Sequence, residues 1–361
     1  MVRAKFARVP SLILLVAALL GVWIVFAVVW QVVTRVPKSE KTAVAQNEAP
    51  PSLPFEYPRL IDGIMVSSTE HASPLVAAIM VDFNAGAYPI SSIDRARVVY
   101  EAPVEGSITR LMAIFPLDVP VPEVGPVRSA RPYFIEWASE YAALYAHVGG
   151  SPAALVRLYD KNEKPVIDVN EFSAGPYFWR DHRRYAPYNV YTNSERLQSL
   201  VAARGVATSS VFSSWLFAPL VPSEWDAAER VAIPAGSFGR GAEWKHVKDA
   251  RGAGQGAYVR QYGRGEYRTR DGELVRADNL VIQETSVRVL DREGRLDVTT
   301  TATGTAWIFR DGMTARGVWK YVAAEHRTRW YDSAGDEIAL KPGNTWIHVV
   351  PIGVAPVVRN P

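Results

Sequence analysis

Residues 98–116 read VVYEAPVEGSITRLMAIFP, and this stretch predicts the centre of the fold. Two runs rich in apolar and β-branched residues, 97–104 and 108–115, are separated by residues 105–107, Glu-Gly-Ser. A gap of this length that contains glycine is typical of a β-hairpin. A further apolar run at 76–83 predicts a third strand. The sequence therefore predicts a sheet that is built around the hairpin.

Helical signals follow the hairpin. The stretch GPVRSARPYF at 125–134 contains Pro132, and proline is favoured in the first turn of a helix. The stretch HVGGSP at 147–152 places Pro152 at a second helix start, and residues 194–204 predict a third helix with Ser194 as its cap. Strands that alternate with helices predict an α/β layer domain over residues 55–224.

The residue pattern of the sequence changes near residue 225, where signals for helices become rare. Short runs rich in Val, Thr, Tyr and Trp alternate with turn pairs such as Asp271-Gly272, Asp311-Gly312 and Pro342-Gly343. Closely spaced turn signals of this kind predict antiparallel strands. We therefore expect a mostly antiparallel β domain over residues 225–361, and the fold class of the whole chain is α+β.

An uncharged apolar run occupies residues 11–33. It is long enough for a helix to cross a hydrocarbon core of ~30 Å. Three basic residues precede it, which favours a cytoplasmic segment at 1–10. Residues 34–54 are rich in proline and small residues and predict a linker. We expect a single-pass anchor in the cell membrane; a cleaved signal peptide is the alternative, because residues 43–45 have the A-x-A form.

Composition excludes several classes of function. The 361 residues include 40 basic and 37 acidic side chains, which give a net charge of +3, and no basic run is interleaved with aromatics. We therefore expect no nucleic-acid partner. The chain has no cysteine, which excludes disulfides and thiolate chemistry. The six histidines form no H-x-H or H-E-x-x-H pattern, so we expect no metal and no cofactor.

Arg110 lies within an apolar strand of the predicted hairpin. A buried guanidinium needs a carboxylate partner or a bound anion. Asp82, Glu101 and Glu105 are the candidates, and Glu101 and Glu105 share a strand face if no bulge intervenes. This pattern predicts either a polar cleft with paired carboxylates, suited to acid–base work or metal binding, or a structural ion pair at the end of the sheet.

Arg128 and Arg131 lie just before the predicted helix start at Pro132. Arginine side chains match the oxygens of phosphate and carboxylate, and a helix N-terminus favours anions. The pair therefore predicts an anion site. The alternative is that one arginine pairs with Glu123 or Glu171 and the other is solvated.

Ser151 follows two glycines between a predicted strand and a predicted helix, as in a nucleophile elbow. The last glycine of G-x-S-x-G is missing, and a serine before Pro152 is also typical of a helix cap. His147 leads into this turn and is either a base or a structural histidine.

Residues 177–193 read YFWRDHRRYAPYNVYTN and are dense in aromatics that alternate with charged residues. Arg180, Asn189 and Tyr191 are candidate ligand contacts in this segment. Aromatic side chains with polar tips are suited to a sugar or peptide groove. Core packing beneath a loop is the alternative.

Several of these stretches resemble the YerB-like family of bacterial envelope proteins, which are described as lipoproteins without an assigned activity. The resemblance rests on residues 98–131, 147–152 and 177–193, and continues in NLVIQE at 279–284, TRWYDSAGDEIALKPG at 328–343 and TWIHVVP at 345–351. It covers nearly all of the chain after about Leu53. It implies an extracytoplasmic location and two domains, and it implies no reaction. A lipoprotein needs a cysteine, which this chain lacks, so the apolar run would replace the lipid.

These observations predict a membrane-anchored, extracytoplasmic protein that binds an envelope polymer, peptide or partner protein. The predicted binding site is a Glu/Arg/aromatic cleft in the N-terminal domain. One alternative is a cell-wall-acting enzyme that uses Glu101 or Glu105. Another is a scaffold that docks an envelope protein through its β domain.

Overall fold

The computed structural model of the protein describes residues 23, 27, 29–31, 56–160, 166–236, 239, 241–248 and 256–360. Residues Pro54–Pro361 form one compact unit, to which the fold described below belongs. The predicted anchor at 11–33 lies almost wholly outside the described residues, as do the segments 1–10 and 34–54. Within the part that is described, no helix has the length and apolar character needed to cross a bilayer.

Strands dominate the compact unit, and its helices are short. The strands in chain order are β1 (Tyr57–Pro58), β2 (Met65–Val66), β3 (Val76–Asp82), β4 (Val98–Val104), β5 (Ile108–Pro116), β6 (Leu144–His147), β7 (Ile167–Asn170), β8 (Trp179–Arg180), β9 (Val190–Tyr191), β10 (Asp226–Ala227), β11 (Arg230–Ile233), β12 (Ala242–Lys248), β13 (Gly256–Tyr262), β14 (Gly265–Glu266), β15 (Arg276–Ala277), β16 (Asn279–Thr285), β17 (Val287–Val289), β18 (Leu296–Val298), β19 (Thr303–Arg310), β20 (Met313–Val322), β21 (Arg327–Tyr331), β22 (Thr345–Pro351) and β23 (Val357–Arg359). The helices are α1 (Thr69–Ala72), α2 (Pro132–Ser139), α3 (Pro152–Tyr159), α4 (Glu171–Ala174) and α5 (Ser194–Arg204).

In the described residues, eleven strands form one mixed main sheet in the order β10-β20-β19-β16-β22-β4-β5-β3-β6-β7, with β21 paired to β20. The predicted hairpin is its antiparallel pair β4–β5. The pairs β3–β6, β6–β7, β16–β22 and β22–β4 are parallel. Because β22 pairs with β4, strands from both predicted domains lie in one sheet. The domain boundary at residue 225 stays a prediction. Strands from both sides of this position belong to the same sheet.

A second sheet has the order β14-β13-β12-β11-β23, with β15 paired to β13. Every residue of β3 and β4 is buried, which is typical of strands that are covered on both faces. The side chains of β3 alternate between two core clusters: Ile79 and Val81 pack with Trp244 and Trp346, whereas Met80 packs with the residues of α2. The second sheet therefore covers one face of the main sheet, and α2 and α3 cover part of the other.

Buried side-chain contacts also join residues on the two sides of position 225. Glu140 follows α2, and its carboxylate accepts hydrogen bonds from the backbone N–H and the hydroxyl of Thr328 at 2.9 and 2.8 Å. The Arg327 guanidinium lies 4.1 Å from the ring centroid of Tyr141 and 4.2 Å from that of Trp215. These buried contacts fix β21 against the helical layer.

The helix starts at Pro132, Pro152 and Ser194 agree with the sequence, but one predicted cap is wrong. Asn193 is the cap of α5, because its side chain accepts a hydrogen bond from the backbone N–H of Arg196. The hydroxyl of Ser194 instead accepts from the backbone N–H of Val121 at 2.9 Å. Asparagine and serine are both good caps, so the sequence alone did not separate adjacent positions.

Candidate functional site

Glu101 lies on β4 and is only 2% exposed. Arg260 on β13 donates two hydrogen bonds to its carboxylate, at 2.9 and 3.2 Å. The indole N–H of Trp346 and the hydroxyl of Thr109 each donate at 3.0 Å. Both carboxylate oxygens therefore accept two hydrogen bonds each, and the charge of Glu101 is compensated inside the protein.

The Arg260 guanidinium is enclosed by aromatic rings. Its central carbon lies 5.2 Å from the ring centroid of Phe83, 5.1 Å from that of Trp244 and 5.8 Å from that of Trp346. A guanidinium that faces aromatic rings within about 6 Å is attracted by their electron-rich faces. The rings also exclude water, which strengthens the ion pair with Glu101.

His348 lies opposite Glu101 on the neighbouring parallel strand β22. The indole N–H of Trp244 donates to its Nε2 at 3.0 Å. Because an indole nitrogen only donates, Nε2 is unprotonated and the ring proton lies on Nδ1, which is 3.4 Å from Glu101. Burial lowers the pKa of His348 to about 3, although Glu101 acts in the opposite direction. The imidazole is therefore neutral.

Burial opposes ionisation of Glu101, but the positive charge of Arg260 and the donated hydrogen bonds outweigh it. The pKa of Glu101 is therefore lowered from its ordinary value. The carboxylate is held as an anion and the imidazole of His348 is held neutral. At neutral pH neither group exchanges a proton readily. Hydrogen-bond donors occupy both oxygens of Glu101 and the Nε2 of His348, which are the atoms that would accept the proton.

Two cavities meet at Glu101. The larger, which we call the Glu101 cavity, has a volume of about 300 Å³. Its walls include Glu101, Thr109, His348, Ile233, Val350 and Val354. The smaller has a volume of about 80 Å³ and shares Glu101 and Thr109 with the larger. An apolar cavity with a few converging polar groups is typical of a ligand site.

The predicted pairing of Glu101 with Glu105 is wrong. Glu101 contacts Arg260 beneath the second sheet, whereas Glu105 lies in the hairpin turn and binds Arg131. The predicted pairing of Glu101 with Arg110 also fails. Leu111 lies opposite Glu101 in the hairpin, and Ala102 lies opposite Arg110. Since side chains that are directly opposite share a face, Glu101 and Arg110 lie on opposite faces of the sheet.

Three of the predicted arginines lie together with two carboxylates. We call this group the arginine cluster, and it consists of Arg110, Arg128, Arg131, Asp82 and Glu105. Arg131 donates to both oxygens of Glu105, at 2.8 and 2.7 Å for the shortest contacts. Arg128 lies 2.5 Å from Asp82. Arg110 donates to the backbone carbonyl of Ser129 at 3.0 Å. The expected partners Glu123 and Glu171 are wrong, because they bind Arg270 and Arg180 instead.

The two helix starts lie side by side, as the anion hypothesis requires. Ala130 and Gly150 form a parallel bridge, and the backbone N–H of Ala130 donates to the carbonyl of Gly149 at 3.0 Å. This arrangement brings the N-termini of α2 and α3 together beside the arginine cluster, at the carboxyl ends of β3 and β6. Ligands of open α/β sheets bind at this kind of edge.

His147 is the last residue of β6, and Ser151 lies directly before α3, at the end of the turn between them. The hydroxyl of Ser151 accepts a hydrogen bond from the backbone N–H of Ala154, so the serine is the helix cap. His147 is fully buried, and its ring nitrogens lie 2.7 Å from the carbonyl of Gly149 and 2.7 Å from the carboxylate of Asp168. No hydrogen bond in the described residues joins His147 to Ser151, so a nucleophile–base pair is not formed.

Arg180, Asn189 and Tyr191 lie on or beside the small hairpin β8–β9. Arg180 donates to Glu171 at 2.9 Å and to Asn189 at 3.3 Å. Tyr191 is buried, and its hydroxyl accepts from Arg184 at 2.8 Å. These contacts organise the loop, and none of these three residues reaches the Glu101 cavity.

Sequence reasoning missed Arg260, Trp244, Trp346 and His348. Trp346 and His348 alternate within TWIHVVP, and alternate positions of a strand share a face, which is a signal that the sequence offered. Arg260 and Trp244 lie on other strands and gave no such signal. Among the described residues, no group of three or more His, Cys, Asp or Glu side chains is placed to hold a metal ion.

Two regions of the chain match known families. Residues 63–207 match "Protein of unknown function (DUF3048) N-terminal domain", and residues 251–347 match "Protein of unknown function (DUF3048) C-terminal domain". The chain is 28% identical over 277 residues to "Putative lipoprotein YerB" of Bacillus subtilis (strain 168), which covers 76% of this chain and 80% of that protein.

A solved structure has a similar fold. The crystal structure of YerB protein from Bacillus subtilis superposes with a TM-score of 0.73 at 25% sequence identity. The superposition covers 84% of this chain and 100% of that chain. The similarity therefore extends over most of the chain.

Proposed function

This chain belongs to the YerB-like family, and from this premise we propose that it is a membrane-associated protein of the bacterial envelope that binds an envelope component. The binding site is the Glu101 cavity. The component is bound and not transformed.

The location is supported by the name of the relative, a lipoprotein, and by the apolar run at residues 11–33. The chain has no cysteine that could carry a thioether-linked lipid. We propose that the apolar run takes over this role as a single-pass anchor, with the folded unit outside the cytoplasm.

The observation that carries the binding function is the position of the Glu101 cavity. Its polar lining includes the compensated cluster of Glu101, Thr109 and His348, and its apolar lining includes Ile233, Val350 and Val354. A volume of about 300 Å³ suits one side chain or a small ligand group. An apolar group packs against the apolar lining, and a polar group meets a fixed arrangement of donors and acceptors at Glu101, Thr109 and His348.

The enzyme alternative requires a carboxylate that transfers a proton. Glu101 accepts hydrogen bonds from Arg260, Trp346 and Thr109, and Glu105 is held through both oxygens by Arg131. Hydrogen bonds to the charged form stabilise it and oppose protonation. This arrangement favours binding over acid–base catalysis.

The test fills the cavity. The full-length protein, in a nonionic detergent, is incubated separately with purified peptidoglycan sacculi and with detergent extracts of the source membranes. The fraction that retains the wild-type protein contains the bound component. Val354→Trp places a large ring at the cavity wall and should abolish binding of the protein to that fraction. Ile352→Trp is the matched control, since Ile352 is 72% exposed and does not line the cavity. Equal retention of both variants and the wild type, or no retention of the wild type in either arm, contradicts the proposal.

A further inference from the structure

Arg110 is a buried cation that forms no ion pair within 4.0 Å among the described residues, and the carboxylate of Asp82, which lies opposite it in the sheet, is bound by Arg128. Arg110 is 4% exposed, and its Nε meets no hydrogen-bond acceptor. Its one hydrogen bond in the described residues is to the carbonyl of Ser129. No carboxylate of a described residue lies within 4.0 Å of it. An unpaired buried charge is costly, so this position favours a bound anion.

Other buried arginines of the chain are compensated. Arg260 binds Glu101 and faces three aromatic rings. Arg310 lies 3.8 Å from the carboxylate of Asp311 and donates to the carbonyls of Ala339 and Ala218. Arg327 lies between the rings of Tyr141 and Trp215. Arg110 differs from them because, among the described residues, it has neither a carboxylate within 4.0 Å nor an aromatic ring as a partner.

The charges around Arg110 do not balance. Three guanidinium groups, those of Arg110, Arg128 and Arg131, face two carboxylates, those of Asp82 and Glu105, which leaves one positive charge in excess. Burial lowers the pKa of Arg110 to about 10, and repulsion from Arg131 and Arg128 acts in the same direction. The cluster is reachable from solvent, because the side chains of Arg128 and Arg131 are 23% and 13% exposed.

The backbone supplies further donors at the same place. The segment that carries Arg128 and Arg131 lies between the end of β3 and the turn after β6, since the backbone N–H of Arg128 donates to Met80 and that of Val148 donates to Arg128. The helices α2 and α3 both begin there. The N–H groups in the first turn of a helix are unpaired and favour an anion.

We propose that Arg110, Arg128 and Arg131 form a binding site for a phosphate group at the carboxyl edge of β3 and β6. The phosphate lies against Arg110 and takes up the excess positive charge. Arg128 and Arg131 reach it from the rim, and Asp82 and Glu105 hold these two side chains in place when the site is empty. The site lies on the face of the main sheet opposite the Glu101 cavity and does not depend on the function proposed for that cavity.

The test is a thermal melt of the full-length protein in a nonionic detergent, with inorganic phosphate or with chloride at equal ionic strength. Phosphate should raise the melting temperature of the wild type by at least about 2 °C relative to chloride. Arg110→Met should melt at the same or a higher temperature without phosphate, because an unpaired charge is removed, and should lose the phosphate response.

Arg327→Met is the matched control, since it also removes a buried guanidinium. It should melt at a lower temperature, because its aromatic contacts are lost, and should keep the phosphate response. If Arg110→Met does not fold, Arg128→Gln replaces it in the test. Arg128 lies at the rim, so this variant should fold and should lose the phosphate response. The absence of a phosphate-specific rise in the wild type, or an equal rise in wild type and Arg110→Met, overturns the proposal.

Two sources of the phosphate group are separated by further arms. A rise with inorganic phosphate and with glycerol 3-phosphate assigns the site to a soluble phosphate ligand. A rise with inorganic phosphate that is exceeded by the rise with phosphatidylglycerol vesicles, relative to phosphatidylcholine vesicles, and that is absent from Arg110→Met in both cases, assigns it to a lipid headgroup.

Discussion

Trp346 donates its indole N–H to the carboxylate of Glu101 at 3.0 Å, across 245 positions of the chain. This contact joins β22 to β4, which are also paired in the main sheet. Arg260 completes the contact from the second sheet. One buried carboxylate therefore connects three strands from distant parts of the sequence, and its environment governs both stability and the candidate site.

Removal of one member of the buried ion pair should be strongly destabilising. Arg260→Met leaves the Glu101 carboxylate buried without its cation, which should lower the free energy of unfolding by about 3–5 kcal/mol. The double variant Glu101→Gln/Arg260→Met should lose less than the sum of the two single variants, because no uncompensated charge remains. Denaturant unfolding followed by fluorescence measures these differences.

The control for this prediction is an exposed ion pair. Arg288 and Asp297 have side chains that are 70% and 40% exposed. Arg288→Met should change the free energy of unfolding by less than about 1 kcal/mol. An equally small change for Arg260→Met would contradict the assignment of Glu101 and Arg260 as a buried, mutually dependent pair.

His348 should make the folded state less stable as the pH falls below 6.5. Its pKa is about 3 in the folded protein and 6.5 in the unfolded chain, so between these values only the unfolded chain binds the proton. The stability that depends on neutral His348 is complete above pH 6.5 and is lost as the pH falls. Between pH 6.5 and 5 the loss should be about 2 kcal/mol.

The variant His348→Gln isolates this contribution, because the glutamine amide oxygen can still accept from Trp244 and does not titrate. Asp94, whose pKa burial raises to about 6, titrates in the same window with the opposite sign, but it is common to both proteins. Denaturant unfolding at pH 5 and 6.5 should show a smaller pH dependence in His348→Gln. Identical pH dependence in the two proteins would mean that His348 takes up its proton in the folded state.

Local signals predicted the local structure of the chain. The hairpin at 98–116 and the helix starts at Pro132 and Pro152 were predicted because each depends on a few adjacent residues. The cap of α5 was misplaced by one position because two neighbouring residues have similar capping ability.

The environment of Glu101 could not be predicted in the same way. Its partner Arg260 is 159 positions away, and nothing in the alternation of either strand specifies which strands become neighbours. The parallel pairing of β22 with β4 depends on the packing of the whole unit. The polar cleft was therefore expected within the N-terminal part, whereas the structure builds it from both parts of the chain.

The placement of the folded unit outside the cytoplasm is a prediction from the apolar run at 11–33. Protease added to intact spheroplasts should digest the folded unit, detected with an antibody to a C-terminal tag. A cytoplasmic marker protein should survive in the same sample. Full protection of the tag before lysis, with digestion after lysis, would reverse the proposed topology.

The last prediction is that the two family-matched regions unfold together. β22 is inserted between β16 and β4, and Glu140 and Arg327 form buried contacts across the same division. Separation of the regions would expose these strands and break the Glu101–Arg260 pair. Calorimetry should therefore show one transition for the folded unit, with equal calorimetric and van't Hoff enthalpies. A protease site inserted next to Pro222, in an exposed loop, provides the stricter test. The cut protein should elute as one species and melt once, at a lower temperature, because the chain connection is lost but the sheet pairing is not. Two separately folded fragments would show that residue 225 divides independent domains.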